Sequence, residues 1–369
     1  MRVADLFAGA GGLSLGFYLA GFELVCAIDV NPYRRETYTS NIKVERYVVA
    51  DITRVDPSIL GGVDVVVAGP PCRPYSVANR VRPGTRHPEY GLERLVVNFA
   101  LAVKPKVVVV EEVLGKHLKL GRAAKRLRRK GYSCEMIVVN FLDFGVPQSR
   151  KRIILVASRD FDASRIFSRL MSYVTPGPNV GVAIGNLPLE PTYREEAEVH
   201  AEGWLYGQYD GVLLNHEASR HRKSTIELIK MIPPGYSLRR MARKGLLPPK
   251  IASRALKRHS YKYRRLDPNK PSPTLPHPRA SMILHPKAHR ILTVREVARL
   301  QAFPDWFKFK GPLDDKYRQV VDAVPPRFSY CLAVAILASL NGSNTYTGLL
   351  QGIRCTWDSW IGIQPLQSL

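Results

Sequence analysis

A single cysteine stands in a stiff, non-repetitive stretch of the chain, AGPPCRPYS, residues 68–76. Two prolines precede Cys72 and a third follows Arg73, so the segment fits neither a helix interior nor a central strand. A free cysteine is most often a small, buried apolar residue. The flanking prolines and the nearby positive charge of Arg73 favour the alternative, a reactive thiolate.

Two acidic and two basic residues could assist such a thiol. Glu111 and Glu112 follow the apolar run VVVV, and since consecutive strand residues point to opposite faces, only one of them should enter a site. A carboxyl kept protonated there could act as a general acid. In QSRKR, an extended backbone would place Gln148, Arg150 and Arg152 on one face, where two guanidiniums suit phosphate or carbonyl oxygens. Surface salt bridges are the alternative for these arginines.

A glycine-rich turn, DLFAGAGG, follows a predicted strand and precedes a predicted helix. The glycines Gly9, Gly11 and Gly12 would let a ligand approach the backbone, and the helix start adds unpaired N–H groups. Asp29 ends the second predicted strand, where a carboxylate suits a ribose diol. The glycines lack the regular G-x-G-x-x-G spacing, which favours a nucleoside over a dinucleotide. Asp51, at the end of the third strand, is either an adenine contact or a simple strand-end acid.

The elements that position these residues alternate between strand and helix over the first 160 residues. Strands are predicted at 2–7, 22–29, 46–51, 64–69, 106–113, 132–140 and 152–158. Helices are predicted at 12–20, 32–40, 92–103 and 118–130. Several strands are apolar on both faces, which is typical of an α/β fold with a doubly wound, mostly parallel sheet. Since such sheets bind ligands at the carboxyl ends of their strands, we expect all these residues at one edge.

The rest of the chain divides by composition. Beyond residue 160, prolines, glycines and basic residues become frequent, which indicates a smaller, loop-rich inserted domain. A regular pattern returns at Thr293 and Glu296, a T-x-x-E capping box, and a further helix is predicted over 326–340. The predicted segments are a first domain at 1–160, an insert at 161–285, a return to the first domain at 286–340, and a tail at 341–369.

Charge is the strongest bulk signal. The formal net charge is +24, and residues 217–270 alone contain 16 Lys or Arg against three acids. A second basic cluster spans residues 116–130. Solvated helix faces could explain either cluster separately, but the global surplus favours a polyanionic partner, most often nucleic acid.

Other classes of protein are disfavoured. We find no apolar run of the roughly 18 residues that a membrane span needs. A strand pattern begins at the first residues, which leaves no room for a signal peptide, so we expect an intracellular protein. The five cysteines are widely spaced, without C-x-x-C or zinc-ligand spacing, which favours free thiols over a disulfide framework or a metal site.

Taken in order, these motifs resemble those of the DNA (cytosine-5)-methyltransferases, from Val3 to about Leu340. DLFAGAGGLSLGF resembles the S-adenosylmethionine motif of that family, and GPPCRPYS resembles its catalytic loop, usually G-P-P-C-Q-x-F-S. EEV stands where the family has E-N-V, and QSRKR matches Q-x-R-x-R. RILTVREVARLQAFPDWF is similar to the late motif that organises the target-recognition domain, and QVVDAVPP to the final G-N-A-V-P-P.

The resemblance implies methyl transfer from S-adenosylmethionine to C5 of a flipped-out cytosine in duplex DNA, through a covalent bond between Cys72 and C6. Glu111 would support protonation at N3, Arg152 would hold O2, and Arg150 would brace the catalytic loop or a phosphate. The implied cofactor contacts are Asp5, Phe7, Ala8, Gly9, Gly11, Gly12, Asp29, Val30, Asp51, Ile52 and Pro70. The implied DNA contacts are Arg73, Ser76, Gln148, Arg264 and Arg265. No metal is implied.

Under the same resemblance, residues 1–160 bind the cofactor, residues 161–285 recognise the target, and residues 77–91 form a lid. A cytoplasmic monomer is expected, either solitary or accompanied by a cognate restriction endonuclease. The chain departs from the family pattern at positions beside the site. Arg73 replaces Gln, Glu112 and Asp322 each replace Asn, and Val321 replaces Gly. A tRNA-methylating branch of the family, or a DNA-binding relative with impaired catalysis, are therefore alternatives.

Overall fold

A seven-stranded sheet forms the centre of the protein in a computed structural model that describes residues 1–71, 91–192, 199–200, 212–257, 262–342 and 356–363. With strands numbered along the chain, the sheet consists of β1 (Arg2–Leu6), β2 (Glu23–Asp29), β3 (Val44–Val49), β4 (Val65–Ala68), β5 (Val107–Glu112), β6 (Ser133–Asn140) and β8 (Lys151–Ser158). Two-residue strands lie outside it: β7 (Gln148–Ser149), β9 (Val199–His200), β10 (Val212–Leu213), β11 (Arg264–Arg265), β12 (Ser272–Pro273) and β13 (Ile283–Leu284).

The strand order in the main sheet is β3-β2-β1-β4-β5-β8-β6. Strand β8 runs antiparallel to both of its neighbours, and the other pairs are parallel. The direction of winding reverses between β1 and β4, so these two strands flank the point where such sheets bind ligands. The predicted doubly wound, mostly parallel sheet is confirmed.

The helices of the described residues, numbered along the chain, are α1 (Gly12–Leu19), α2 (Pro32–Asn41), α3 (Glu93–Val103), α4 (His117–Arg128), α5 (Ser164–Met171), α6 (Val180–Ile184), α7 (Lys223–Lys230), α8 (Leu238–Arg243), α9 (Pro249–Lys257), α10 (Pro278–Ser281), α11 (Val294–Leu300), α12 (Leu313–Asp322), α13 (Pro326–Leu340) and α14 (Trp357–Ile361). Helices α1, α2, α5 and α13 cover one face of the sheet, and α3 and α4 cover the other.

Alternation along the central strands produces these two layers. Val107 and Val109 of β5 belong to the core under α1 and α13, whereas Val108 and Val110 belong to the core under α3 and α4. A strand that is buried on both faces must be apolar at every position. The run VVVV therefore predicts this strand from the sequence alone.

Close packing of α1 against α13 requires a glycine. A Cβ atom added to Gly16 would lie 2.3 Å from the backbone nitrogen of Tyr330, a distance that no side chain could tolerate. The hydroxyl of Ser329 donates to the Gly12 carbonyl at 3.1 Å. Residues 326–340 are thereby fixed against the helix that follows the glycine turn.

The observed elements agree with the sequence predictions to within about two residues in the first 160 residues. Three features were missed. Helix α12 was not predicted, because charged residues dominate its first two turns. The insert was expected to be loop-rich, yet it contains the short helices α5 to α9, which are too short to show a clear period. Helix α5 packs against α13 rather than standing apart from the core.

Part of the tail also has a defined place. Trp360 in α14 is fully buried, and its indole nitrogen donates to the Ala302 carbonyl at 2.9 Å. The Trp306 indole donates in turn to the Ile363 carbonyl at 2.5 Å. Residues 356–363 therefore cover the loop that follows α11.

One stretch of the described residues, Leu313–Leu340, is long and apolar enough to cross a membrane by length and composition alone. It comprises α12 and α13, and 83% of its apolar part is buried inside the protein. Its hydrophobicity is thus accounted for by the core.

Candidate active site

The turn after β1 adopts a backbone that favours glycine at two positions. Gly9 and Gly11 have φ angles of 57° and 93°, and Phe7 between β1 and this turn also has a positive φ. A Cβ atom on Gly11 would lie 2.5 Å from Ile42 Cδ1. The Ala8 amide donates to the Ile28 carbonyl at 2.9 Å, which fixes the turn to the end of β2. The result is a narrow backbone cradle at the carboxyl edge of the sheet.

Asp29 secures this cradle. One carboxylate oxygen accepts the amide of Gly9 at 2.9 Å, and the other accepts the amide of Asn31, also at 2.9 Å. The carboxylate is nearly buried, and each oxygen retains a second lone pair for a ligand hydroxyl. The position predicted for a ribose contact is therefore also a structural tie between β2 and the glycine turn.

Arg34 on α2 was not identified from the sequence. Its guanidinium lies 3.7 Å from Asp29 Oδ2 and donates to Asp322 Oδ2 at 3.1 Å. A Cβ atom on Gly9 would lie 3.6 Å from Arg34 Nη1, so the arginine borders the cradle. From the sequence, the signal for Arg34 was Asp322, an acidic residue where the family has Asn, because a carboxylate there suggests a positively charged partner.

Asp5 lies beneath the same turn, fully buried. Its carboxylate accepts the hydroxyl of Ser14 at 2.5 Å, and Ser14 accepts the hydroxyl of Tyr38 at 2.7 Å. Burial raises the pKa of Asp5 to about 7, against the opposing effect of the Ser14 hydrogen bond. The carboxyl therefore holds its proton over a range in which aspartate is normally ionised.

The other predicted cofactor contacts occupy varied positions around the cradle. Val30 has 68% of its surface exposed, an unusual position for an apolar side chain directly beside Asp29. Asp51 accepts from both the amide and the hydroxyl of Thr53 and so caps a short 3₁₀ turn. Ile52 is buried, as is Pro70 at the end of β4. An apolar ring placed on the cradle would cover the exposed face of Val30.

The two neighbouring acids separate to opposite faces, as strand alternation predicts. Glu111 forms an ion pair with Arg152 of β8, Nε to Oε1 2.9 Å, and its other oxygen lies near Gly69 at the end of β4. Glu112 points to the other face and contacts the ammonium of Lys116. Burial raises the pKa of Glu112, while the charge of Lys116 and its hydrogen bond lower it and favour the ionised carboxylate.

The remaining residues of QSRKR connect the sheet to the return segment. Arg150 is buried and donates from Nη1 to the Val321 carbonyl at 3.0 Å. Gln148 is also buried and donates to the Leu300 carbonyl at 3.4 Å. The structure therefore places Gln148 in the interior beside α11, where it stabilises the fold rather than facing open solvent.

Cys72, Arg73 and Ser76 lie outside the described residues, as does the predicted lid up to residue 90. The chain is described up to Pro71, at the end of the loop after β4, and again from Gly91. These two points flank the carboxyl edge where Glu111 and the glycine turn lie.

The two arginines predicted to contact DNA have different environments. Arg264 is partly exposed. Arg265 is buried, and its guanidinium donates to the carbonyls of Ile232, His285 and Ala288 at 2.5 to 2.8 Å. A phosphate contact would require these bonds to break, so the structure argues against Arg265 as a DNA contact.

The predicted capping box is confirmed at the start of α11. Thr293 accepts the amide of Glu296 at 3.1 Å, and Glu296 accepts the amide of Thr293 at 2.8 Å. Both oxygens of Glu296 also accept from Arg290, at 2.7 and 2.8 Å. Arg299 joins this helix to the insert through the side chain of Asn186, at 2.7 Å. The late motif thus connects the return segment to the insert.

Among the residues that the structure describes, no cluster of three or more His, Cys, Asp or Glu side chains could hold a metal ion.

Comparison with known proteins identifies the family of the chain. Residues 1–338 match the family model of the C-5 cytosine-specific DNA methylases. The Type II methyltransferase M1.HphI of Haemophilus parahaemolyticus is 32% identical over 345 residues, covering 90% of this chain and 86% of that protein. The Type II methyltransferase M.DdeI of Desulfomicrobium norvegicum is 28% identical, covering 91% and 88%.

Solved structures agree on the fold. A DNA modification methyltransferase encoded within an E. coli prophage superposes with a TM-score of 0.69 at 23% identity, covering 92% of this chain and 99% of that one. The S. pombe Dnmt2 methyltransferase superposes with a TM-score of 0.57 at 17% identity, covering 93% and 100%.

Proposed function

The chain belongs to the C-5 cytosine-specific DNA methylase family and is a DNA (cytosine-5-)-methyltransferase, and from this premise we propose that it methylates a flipped-out cytosine through a covalent intermediate on Cys72. The family resemblance drawn from the motifs is thereby confirmed. The substrate is DNA, and the match to Type II methyltransferases supports a role in restriction-modification.

One observation carries the proposal. The glycine cradle follows β1, and Glu111, ion-paired with Arg152 of β8, ends β5; β1 and β5 flank β4 in the sheet. Residue 72 follows β4 by four positions, directly after Pro70 and Pro71. The glycine cradle on one side and a carboxyl–guanidinium pair on the other therefore lie to either side of β4, which leads to the cysteine, and this arrangement supports the proposal.

The cradle suits S-adenosylmethionine. Gly11 leaves no room for a side chain, Asp29 offers lone pairs to a ribose, and Val30 exposes an apolar surface for a ring. When bound, S-adenosylmethionine supplies an electrophilic methyl group. The residues that would hold it are Asp5, Phe7, Ala8, Gly9, Gly11, Gly12, Asp29, Val30, Asp51, Ile52 and Pro70.

The chain's own groups then perform the steps that make C5 reactive. The Cys72 thiolate adds to C6, while Glu111 supports a proton at N3, so that the electron pair of the C5–C6 bond becomes available at C5. Arg152, fixed by its ion pair with Glu111, holds O2 of the base. After C5 has accepted the methyl group, loss of the C5 proton to a base breaks the Cys72–C6 bond and restores the thiolate. Arg150 braces this region through the return segment.

Basic surfaces support duplex DNA as the substrate. C6 is inaccessible in a stacked duplex, so the target base must leave the helix, and phosphate contacts must hold the DNA in place. The insert, residues 161–285, would recognise the target, with Arg264 among its phosphate contacts. A cleft of about 620 Å³ between α3 and α4 is also lined by basic residues: Arg94, Lys119, Arg122 and Arg126.

We further propose that the protein acts as a monomer in the cytoplasm and protects DNA from a cognate restriction endonuclease. The Type II relatives support the last of these roles. The domain limits of 1–160, 161–285 and 286–340 remain part of this proposal.

A labelling experiment tests the central proposal. The protein is incubated with methyl-labelled S-adenosylmethionine and either duplex DNA or tRNA, and the assay is repeated with Cys72→Ser. Label at cytosine C5 of DNA that is lost in the variant is the expected result. Transfer to tRNA alone, or a covalent trap with 5-fluorocytosine DNA that maps to another cysteine, would contradict the proposal.

A further inference from the structure

Lys116 is a fully buried lysine in the short 3₁₀ turn Leu114–Lys116 that follows β5. Its ammonium contacts Glu112 Oε1, lies 3.7 Å from Glu93 Oε2, and donates to the Pro71 carbonyl at 3.3 Å. A buried ammonium is tolerated only when its charge and its hydrogens are satisfied. The cluster of Glu93, Glu112 and Lys116 meets that requirement inside the protein.

These contacts of Lys116 come from separate parts of the chain. Pro71 immediately precedes Cys72. Glu93 lies in the first turn of α3, where the chain returns from residues 72–90. Glu112 is the last residue of β5, next to Glu111 on the opposite face of the strand. One ammonium therefore contacts both ends of the cysteine-bearing segment and the strand that carries the general-acid candidate.

Glu112 replaces the asparagine of the E-N-V motif, and the structure supplies a reason. An amide at position 112 would leave the buried ammonium with Glu93, 3.7 Å away, as the remaining carboxylate of the cluster. The acidic residue and the lysine four positions later therefore belong together as one compensated pair.

We propose that Lys116 is a positioning residue, which fixes the direction in which the chain leaves β4 at Pro71, on the way to the cysteine, and thereby supports the reaction at Glu111. The inference rests on the proposed function, because it assigns Lys116 a role in that reaction. Lys116 itself touches neither the base nor the methyl donor. Its effect passes through the Pro71 carbonyl and the Glu93 carboxylate.

The test compares Lys116→Met, Lys116→Arg and the double variant Glu112→Gln/Lys116→Met. We expect Lys116→Met to lower kcat by about tenfold or more, since small displacements of a reacting group cost that much, with the Kd for S-adenosylmethionine unchanged. Lys116→Arg, which retains the charge, should recover part of kcat. The double variant should recover thermal stability, because one unpaired carboxylate is removed, but not kcat.

The matched control is Lys106→Met. Lys106 pairs with Asp64 at 2.9 Å at the opposite edge of the same sheet, and its loss should leave kcat unchanged. A double variant that regains kcat together with stability would reduce Lys116 to a purely structural role and overturn the inference. Wild-type kcat in Lys116→Met would do the same.

A second readout does not depend on catalysis. The rate at which iodoacetamide alkylates Cys72, followed by mass spectrometry, should change in Lys116→Met, while the buried thiols Cys26, Cys134 and Cys331 serve as internal references. An unchanged Cys72 rate would overturn the inference. A different outcome would contradict the proposed function: a wild-type protein whose Cys72 is alkylated normally but which transfers no methyl group to DNA. In that case, the comparison of Cys72 alkylation rates between the wild type and Lys116→Met would still decide the role of Lys116.

Discussion

Arg152 and Glu111 face each other across two antiparallel strands, with Nε 2.9 Å from Oε1, and both side chains are largely buried. Glu111 is paired in register with Ile154, which lies two residues beyond Arg152 on the neighbouring strand. The Arg152 side chain therefore extends along the strand by two residues to reach the Glu111 carboxylate. The rigid sheet, rather than a loop, thus sets the distance between the carboxyl group and the guanidinium. In the proposed reaction, a pair held this way would meet the edge of the base without reorganisation.

Glu111→Gln should lower kcat by about 10² or more, as loss of a positioned proton donor does, with little change in DNA affinity. Single-turnover methylation of a duplex oligonucleotide measures the effect. Glu45→Gln is the control, because it removes an exposed carboxylate that pairs with Arg2 at 3.3 Å on the same sheet. Equal rates for Glu111→Gln and the wild type would exclude Glu111 from the chemical step.

Arg34→Met should raise the Kd for S-adenosylmethionine by about tenfold, or ~1.4 kcal/mol, because Asp29 loses the cation that orients it. Titration calorimetry without DNA measures this directly. Arg35→Met serves as the control, since Arg35 is exposed on the next position of α2. If both variants weaken binding equally, the effect arises from net charge and not from the contacts with Asp29 and Asp322.

Asp5 should make the free energy of unfolding depend on pH. The pKa of this carboxyl rises from 3.8 to about 7 on folding, so the folded state holds a proton that the unfolded state releases. Its contribution to stability is therefore present at low pH, declines as the pH rises towards 7, and is lost above it. Urea unfolding of the wild type and Asp5→Asn, without cofactor, should show this decline as a difference between the two. Parallel pH profiles would contradict the assignment.

The basic cleft between α3 and α4 should contribute phosphate contacts. Arg122→Gln/Arg126→Gln is expected to reduce the slope of log Kd against log salt by about 1 to 2, given ~0.9 per phosphate contact. The control removes the same charge elsewhere, with Lys125→Gln/Arg165→Gln. Fluorescence anisotropy at several salt concentrations measures both. Identical slopes for the two double variants would assign the effect to net charge alone.

Most of the sheet could be predicted because a strand buried on both faces has a distinctive composition. The same alternation correctly assigned Glu111 and Glu112 to different faces. Arg34 could not be placed from the sequence, since its partner Asp322 lies 288 residues away. Composition also could not show which arginine of a basic run turns inward, and Arg265 was therefore misplaced. Lys116 was counted as part of the basic cluster at residues 116–130, because only the fold brings Pro71 and Glu93 to its ammonium.

Trp360 gives the tail a structural role that its composition did not reveal. The side chain is fully buried, donates to the Ala302 carbonyl, and lies 5.7 Å from the ring of Tyr330 in α13. Trp360→Ala should therefore reduce the free energy of unfolding by about 3 to 5 kcal/mol, as other large-to-small changes at buried aromatic positions do. Asp358→Ala, at an exposed position of the same helix, should change it by less than about 0.5 kcal/mol. Urea denaturation of the full chain measures both, and a Trp360→Ala variant as stable as the wild type would show that α14 adds nothing to the core.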